Sequence, residues 1–244
     1  MLQYTGNLPP IKEMKDMPFE GAKIALFGGT GTGKTRSVMS CPKPCLYITS
    51  ENKYSSVTDR TGIKIIEIES FQQFVDSIIA FSQKSKEPKF PYKTIFIDSL
   101  TDIADKRLLE IKPLYKDVRQ AYSVVLDEVI ELIYYIKLIK CNVITIFKQE
   151  RLQDDEMNMV YGPMLPGNKL GNKIPYEFDE IYCSLSRKEN GSLTYYFQTV
   201  NDNKYACKSC CSVLKSFVDQ DFSMIINLIM SRYEHFDKIP DTNK

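Results

Sequence analysis

With 244 residues and a formal net charge of +1, the chain has room for one large α/β domain with appendages and carries no global basic field. Contact with a polyanion would have to come from a local patch or from several subunits together. Hydrophobic residues at 43% and charged residues at 26% suit a soluble globular chain whose core needs no staples. The most apolar stretch, Val124 to Ile139, is interrupted by Asp127, Glu128, Glu131 and Lys137, which excludes a membrane span there. Met1 to Gly6 does not read as a signal peptide, and the seven scattered cysteines read as reduced thiols in the cytoplasm. The single histidine, His235, reads as a surface residue and leaves little scope for histidine-based catalysis.

In chain order, residues 1–20 hold Pro9, Pro10 and Pro18 and read as an extended lead-in. Lys23 to Phe27 reads as a buried strand running into a glycine-rich turn, and Lys34 to Ser40 as a helix that Pro42 ends. Strands are expected at Cys45 to Thr49, Ile63 to Ile68, Lys93 to Ile97 and Asn142 to Phe147. Phe71, Phe74, Val75, Ile78 and Ile79 have helical spacing, and so do Val118, Tyr122, Val125, Val129, Leu132, Ile136 and Ile139 within a long amphipathic helix over 117–140. This alternation predicts a mainly parallel sheet flanked by helices. Residues 152–176 are polar, rich in glycine and proline, and read as a long mobile loop. Asp179 to Ser186 and Leu193 to Val200 flank Asn190-Gly191, a hairpin signal that extends the sheet. The organisation expected is a lead-in over 1–20, a core over 21–220, and a helix and tail over 221–244, with Phe222, Ile225, Ile226 and Ile229 on one face of the final helix.

The chemistry concentrates in Gly28-Gly29-Thr30-Gly31-Thr32-Gly33-Lys34-Thr35, which fits G-x-x-x-x-G-K-[ST] between a strand and a helix. Glycines let successive backbone N–H groups curl around phosphates, and the following helix aims its positive end at the same anion. Lys34 is expected to reach the β- and γ-phosphates of ATP, Thr35 to ligate Mg²⁺, and Arg36 to border the nucleotide. Asp98, at the end of the apolar strand Thr94-Ile-Phe-Ile-Asp98, is expected to hold Mg²⁺ through water, with Ser99 capping the next helix. Glu51, just past the second strand, is the candidate for orienting the attacking water, because such sites lie beyond the carboxyl ends of parallel strands. Gln149, flanked by Lys148 and Arg151, is the candidate γ-phosphate sensor. Cys41, Cys45, Cys207, Cys210 and Cys211 lack zinc-ribbon spacing and read as ordinary thiols.

Together these residues resemble the RecA-like ATPases, and more closely the phage-encoded AAA-type single-strand-annealing recombinases. In RecA-like enzymes a Glu follows the strand after the P-loop helix, as Glu51 does, and Ile146-Phe-Lys-Gln149-Glu-Arg151 is similar to the strand end that precedes their DNA-binding loop. Leu165-Pro-Gly-Asn-Lys169 followed by Lys173-Ile-Pro-Tyr-Glu-Phe-Asp179-Glu180, and Thr199 with Tyr205-Ala-Cys-Lys208, match further elements of the phage group. The resemblance spans roughly residues 20–210, with the P-loop its one highly specific motif. It implies a DNA-stimulated ATPase acting in recombination, annealing or replication. It also implies a homo-oligomer in the host cytoplasm, with single-stranded DNA and a single-strand-binding protein as partners. Arg151, Tyr161, Lys169 and Lys173 are then the expected DNA contacts, and Lys204 or Lys208 the basic finger offered to a neighbouring subunit. The family's Arg shortly after that Lys is Cys210 here, which leaves the lysines to serve alone.

Two other classes compete. A small-molecule kinase needs a lid with several Arg residues, and residues 152–176 contain none. A nucleotide-binding structural or packaging component would bind ATP with little turnover. A G-protein switch is disfavoured by the lack of an Asn-Lys-x-Asp element after a late strand.

Overall fold

A computed structural model describes residues 11–14, 17–51, 53–153, 157–167, 174–189 and 191–236. The short apolar runs become the strands β1 (Lys23–Phe27), β2 (Cys45–Thr49), β3 (Ile63–Glu67), β4 (Thr94–Asp98) and β5 (Asn142–Ile146). The chain continues with β6 (Gln149–Gln153), β7 (Met159–Pro163), β8 (Glu180–Glu189), β9 (Ser192–Gln198), β10 (Lys208–Ser209) and β11 (Phe217–Asp219). A nine-stranded sheet runs in the order β11-β9-β8-β1-β5-β4-β2-β3, with β10 added on β8. The six strands from β8 to β3 are parallel, and β9, β10 and β11 are antiparallel additions.

Alternation along the strands sends side chains into two cores. Ala25, Phe27, Leu46, Ile48, Ile95, Ile97, Val143 and Phe147 face one side. There they meet α1 (Phe71–Lys84), α2 (Leu100–Ile111) and α3 (Val118–Leu138) through Phe74, Ile78, Ile103, Val125, Val129 and Ile136. Ile24, Leu26, Tyr47, Phe96, Ile144 and Tyr182 face the other side, covered by Val38 and by Phe222, Ile225, Ile226 and Ile229 of α5 (Phe222–Phe236). A short α4 (Ile174–Glu177) precedes β8. Ser70, Ser99 and Asp117 cap α1, α2 and α3, each side chain accepting an N–H of the first turn. Among the described residues no helix is long and apolar enough to cross a membrane.

Helix α2 follows the expected Ser99 cap, with Leu100, Ile103, Ala104 and Ile111 buried at helical spacing. Two expectations are corrected. The segment after the P-loop is a 3-10 helix, Thr35–Ser40, and not a full α-helix. Ser37 and Ser40 hydroxyls bond back to the carbonyls of Lys34 and Ser37, and the Cys41-Pro42 step forces extended backbone at Cys41. Finally, the stretch 152–176 expected to be a mobile loop holds the end of β6 and all of β7, an antiparallel ribbon with Gln149 opposite Pro163, Arg151 opposite Tyr161 and Gln153 opposite Met159. Val160 and Leu165 anchor it by burial, and Tyr161 donates its backbone N–H to the Lys204 carbonyl at 2.7 Å. Polar outward-facing residues hid the strand period here.

Candidate nucleotide site

The parallel strands end together along one edge of the sheet. Thr49 at the end of β2 lies opposite Asp98 at the end of β4, and β1 delivers Gly28 beside them in the same sheet. Gly28, Gly31 and Gly33 all have positive φ, at 156°, 76° and 90°. At Gly33 glycine is also required by space, since a Cβ would sit 2.7 Å from both Gln220 Oε1 and Tyr195 Cδ1. A Cβ at Gly31 would meet nothing within 4 Å beyond its chain neighbours, so the loop is open on that side.

Lys34 folds over the loop, its Nζ donating to the Gly28 and Gly29 carbonyls at 2.7 Å each. Burial pushes its ammonium below the usual lysine range, and the Asp98 carboxylate pulls the other way. Thr32 Oγ1 donates to the Gly29 carbonyl at 2.9 Å and tightens the turn. Thr35 Oγ1 donates to Asp98 Oδ2 at 2.6 Å, so two hard oxygen donors from residues 63 positions apart meet beside the lysine. Such a pair suits Mg²⁺, which prefers a few carboxylate or hydroxyl oxygens together with water and phosphate.

Tyr47, which the sequence gave no reason to single out, donates its hydroxyl to the same Asp98 oxygen at 3.0 Å. Burial pushes the Asp98 carboxyl above its usual range, against the opposing pull of Thr35, Tyr47 and Lys34. Burial first, and then the Asp98 charge, push the Tyr47 phenol up. Tyr47 therefore acts as a fixed donor that steadies the carboxylate. Tyr47→Phe removes one hydrogen bond of about 1 kcal/mol. The expected result is a roughly fivefold higher Mg²⁺ concentration for half-maximal nucleotide binding, read by titrating Mg²⁺ against a fluorescent ATP analogue.

A protein-family profile described as an AAA domain matches residues 20–211, which takes in the P-loop, β2, β4 and the sheet edge that joins them. The chain belongs to the AAA domain family. Its fold is a P-loop NTPase fold, a mainly parallel sheet flanked by helices, with antiparallel strands at the C-terminal end. This AAA domain is similar to a KaiC-like protein from the hyperthermophilic archaeon Pyrococcus horikoshii OT3, at 16% identity and a TM-score of 0.41, over 72% of this chain and 77% of that one. No curated protein matches the sequence.

The other expected residues fall into distinct places in the AAA domain. Glu51 sits two positions past Thr49, whose hydroxyl bonds both its N–H (3.1 Å) and its carbonyl (2.7 Å). Its side chain is about a third exposed, at 35%, and ion-paired with Lys53 at 3.2 Å, on the same edge as Asp98. Lys106 of α2 reaches the Ser50 carbonyl at 2.7 Å, and the buried Ser50 hydroxyl next to Glu51 has no hydrogen-bond partner. Arg36 points outward from the 3-10 helix, its guanidinium 5.1 Å from the centre of the Tyr195 ring.

Gln149 begins β6, where its side-chain oxygen receives a long contact of 4.0 Å from the Cys183 thiol, opposite Phe27 at the root of the P-loop. Its neighbour Lys148 is exposed and pairs with Asp102, and with Asp105 at 3.9 Å, on α2. Arg151 is exposed on the ribbon. Tyr161 is half-buried with its ring against Tyr205, 5.7 Å between centroids, rather than a free stacking platform. Lys169 and Lys173 lie outside the described residues, as does the side chain of His235.

Lys204 is exposed, 5.1 Å over the Tyr205 ring. Lys208 is elsewhere: β10 pairs with the first residues of β8, at the end of the strand away from the P-loop, and Lys208 Nζ is held by the Pro175 carbonyl at 3.0 Å. Among the described residues no three His, Cys, Asp or Glu side chains gather into a group that could hold a metal ion. Glu180, buried, instead accepts from the Tyr182 hydroxyl at 2.7 Å and from the Cys210 and Cys211 N–H groups at 3.1 and 3.2 Å.

Proposed function

We propose that this AAA domain binds ATP with Mg²⁺ at residues 28–36, hydrolyses it, and couples the cycle to single-stranded DNA as a homo-oligomer in phage-type recombination, annealing or replication. The observation that carries the nucleotide chemistry is the 2.6 Å contact between Thr35 Oγ1 and Asp98 Oδ2 at the mouth of a Lys34-capped P-loop. The backbone N–H groups of Gly28 to Gly33 and the Lys34 ammonium hold the phosphates, which replace the loop carbonyls as partners of Lys34. Thr35 and Asp98 are the residues that would hold Mg²⁺, with Asp98 acting through water, and the bound ion would supply charge neutralisation for the phosphates. Glu51, on the same strand edge, orients the attacking water, and Gln149 relays the state of the site to the ribbon that begins with it.

The DNA half of this reading is supported by exposed Arg151 on that ribbon and by Lys204 beside it through the Tyr161–Tyr205 contact. Lys208 lies beside the start of β8, away from the P-loop, with its ammonium bonded to the Pro175 carbonyl. The deciding experiment measures ATP turnover with and without single-stranded DNA, together with an ATP-dependent gel shift and light scattering. Turnover that rises severalfold with DNA, with a shift only in ATP, supports the reading. Hydrolysis indifferent to DNA with no shift overturns the DNA role. Transfer of the γ-phosphate to a nucleoside monophosphate would favour the kinase class instead.

A further inference from the structure

The P-loop is gripped from outside by a part of the chain that lies beyond the matched family region. Gln220, between β11 and α5, donates from Nε2 to the Thr32 carbonyl at 2.9 Å and to Ser184 Oγ at 2.8 Å, with the Tyr196 carbonyl at 3.4 Å. Ser184 Oγ itself donates to the same Thr32 carbonyl at 2.8 Å. Two residues later the chain is sewn to the far end of the 3-10 helix. The Phe222 N–H donates to Ser40 Oγ at 3.0 Å, and Ser223 Oγ to the Ser40 carbonyl at 2.7 Å. Residues 220–223 thus form a strap across both ends of the element that opens with the P-loop.

We infer that Gln220 is a positioning residue for phosphate binding, orienting the Thr32–Gly33 peptide so that the Gly33 N–H faces the nucleotide. The Thr32 carbonyl and the Gly33 N–H belong to one planar trans peptide and point in opposite directions. Two donors held behind the carbonyl therefore aim the N–H away from Ser184 and Gln220. Gly33 makes the arrangement possible, because its φ of 90° and the 2.7 Å approach of Gln220 Oε1 to its missing Cβ admit no side chain. The amide of Gln220 has one workable orientation, since the reverse would set Oε1 against the Thr32 carbonyl. In that orientation Oε1 is buried with no hydrogen-bond partner. An acceptor left unmatched is costly. A side chain that served only to fill space at this position would not need the amide. The consequence is that nucleotide affinity depends on whether β11 and α5 are docked.

This inference rests on the P-loop reading above, so its test separates the two. Binding of a fluorescent ADP is measured for the wild type, Lys34→Ala, Gln220→Met and Gln220→Glu at pH 8 and pH 5.5, each beside its thermal midpoint. Gln220→Met keeps the length and removes the donor, and should weaken binding roughly tenfold relative to wild type at both pH values. Gln220→Glu presents a second acceptor to the Thr32 carbonyl at pH 8 and should bind at least as weakly there. Burial beside the Thr32 and Tyr196 carbonyls raises the introduced carboxyl above the ordinary Glu value of about 4.3, so toward pH 5.5 it takes up a proton, regains a donor and should recover affinity relative to wild type. If both variants bind within twofold of wild type while Lys34→Ala has lost binding, the inference falls and the P-loop reading stands. A loss that is the same for Gln220→Glu at both pH values and tracks a lowered thermal midpoint also overturns it, as a purely structural effect. Failure of the wild type to bind ADP removes the P-loop reading and this inference with it.

Discussion

Replacing Lys34 by alanine is expected to weaken ATP binding by about 10²-fold, or roughly 2.7 kcal/mol, and to reduce turnover to background. The effect is large because the ammonium is already drawn into the loop and partly stripped of water, so its charge acts on phosphate in a low-dielectric setting. The fold should survive. Among the described residues the Lys34 ammonium hydrogen-bonds the carbonyls of Gly28 and Gly29, which water can satisfy on this open edge. The measurement is a titration with a fluorescent ATP analogue beside a thermal melt. Retained affinity would contradict the nucleotide site, and a collapsed melt would mean that Lys34 supports the fold instead.

Asp98→Asn should separate stability from activity in opposite directions. The folded protein holds the Asp98 carboxyl above its unfolded value, burial being the main cause. The native state therefore binds this proton more tightly than the unfolded chain does. The associated stability is fully present below the unfolded value of about 3.9 and is lost as pH rises through the folded one. At neutral pH the protein consequently carries a buried charge at a cost that Mg²⁺ and phosphate chemistry would use. Asparagine keeps an oxygen for the Thr35 and Tyr47 hydroxyls without that charge. The variant is expected to melt about 2–4 °C higher at pH 7, for a gain of about 1 kcal/mol. The difference from wild type should shrink toward pH 4. Turnover with Mg²⁺ and ATP should fall by about 10²-fold or more. A variant that melts lower at pH 7, or that hydrolyses ATP normally, would refute the assignment of Asp98 to the metal.

Much of the core was readable because its causes are local. A run such as Thr94 to Ile97 closed by Asp98 reports both burial and a polar strand end, and the three- and four-residue spacing of Val125, Val129, Leu132 and Ile136 fixes the inner face of α3. Helix α2 was equally accessible, with a Ser99 cap and Ile103, Ala104 and Ile111 in phase, but the strand end before it drew the functional reading. The ribbon β6–β7 was obscured because its composition is polar, and anchoring by Tyr205 and Lys204 comes from a segment far along the chain. The placement of Lys208 follows from β10 pairing with the first residues of β8 and from its bond to the Pro175 carbonyl, contacts that no local pattern in the sequence conveys.

The residues that must bend backbone around an anion, Gly28 to Thr35, are chosen by steric and charge rules that act within a few bonds, so the chain's identity as a phosphate binder is written in its primary order. What holds that loop in shape is not. Tyr47 reaches Asp98 across 51 positions, Ser184 reaches Thr32 across 152 and Gln220 across 188. Hydrogen bonds of that range leave no periodic trace, because they exist only once a nine-stranded sheet has brought β8, β9 and β11 alongside β1.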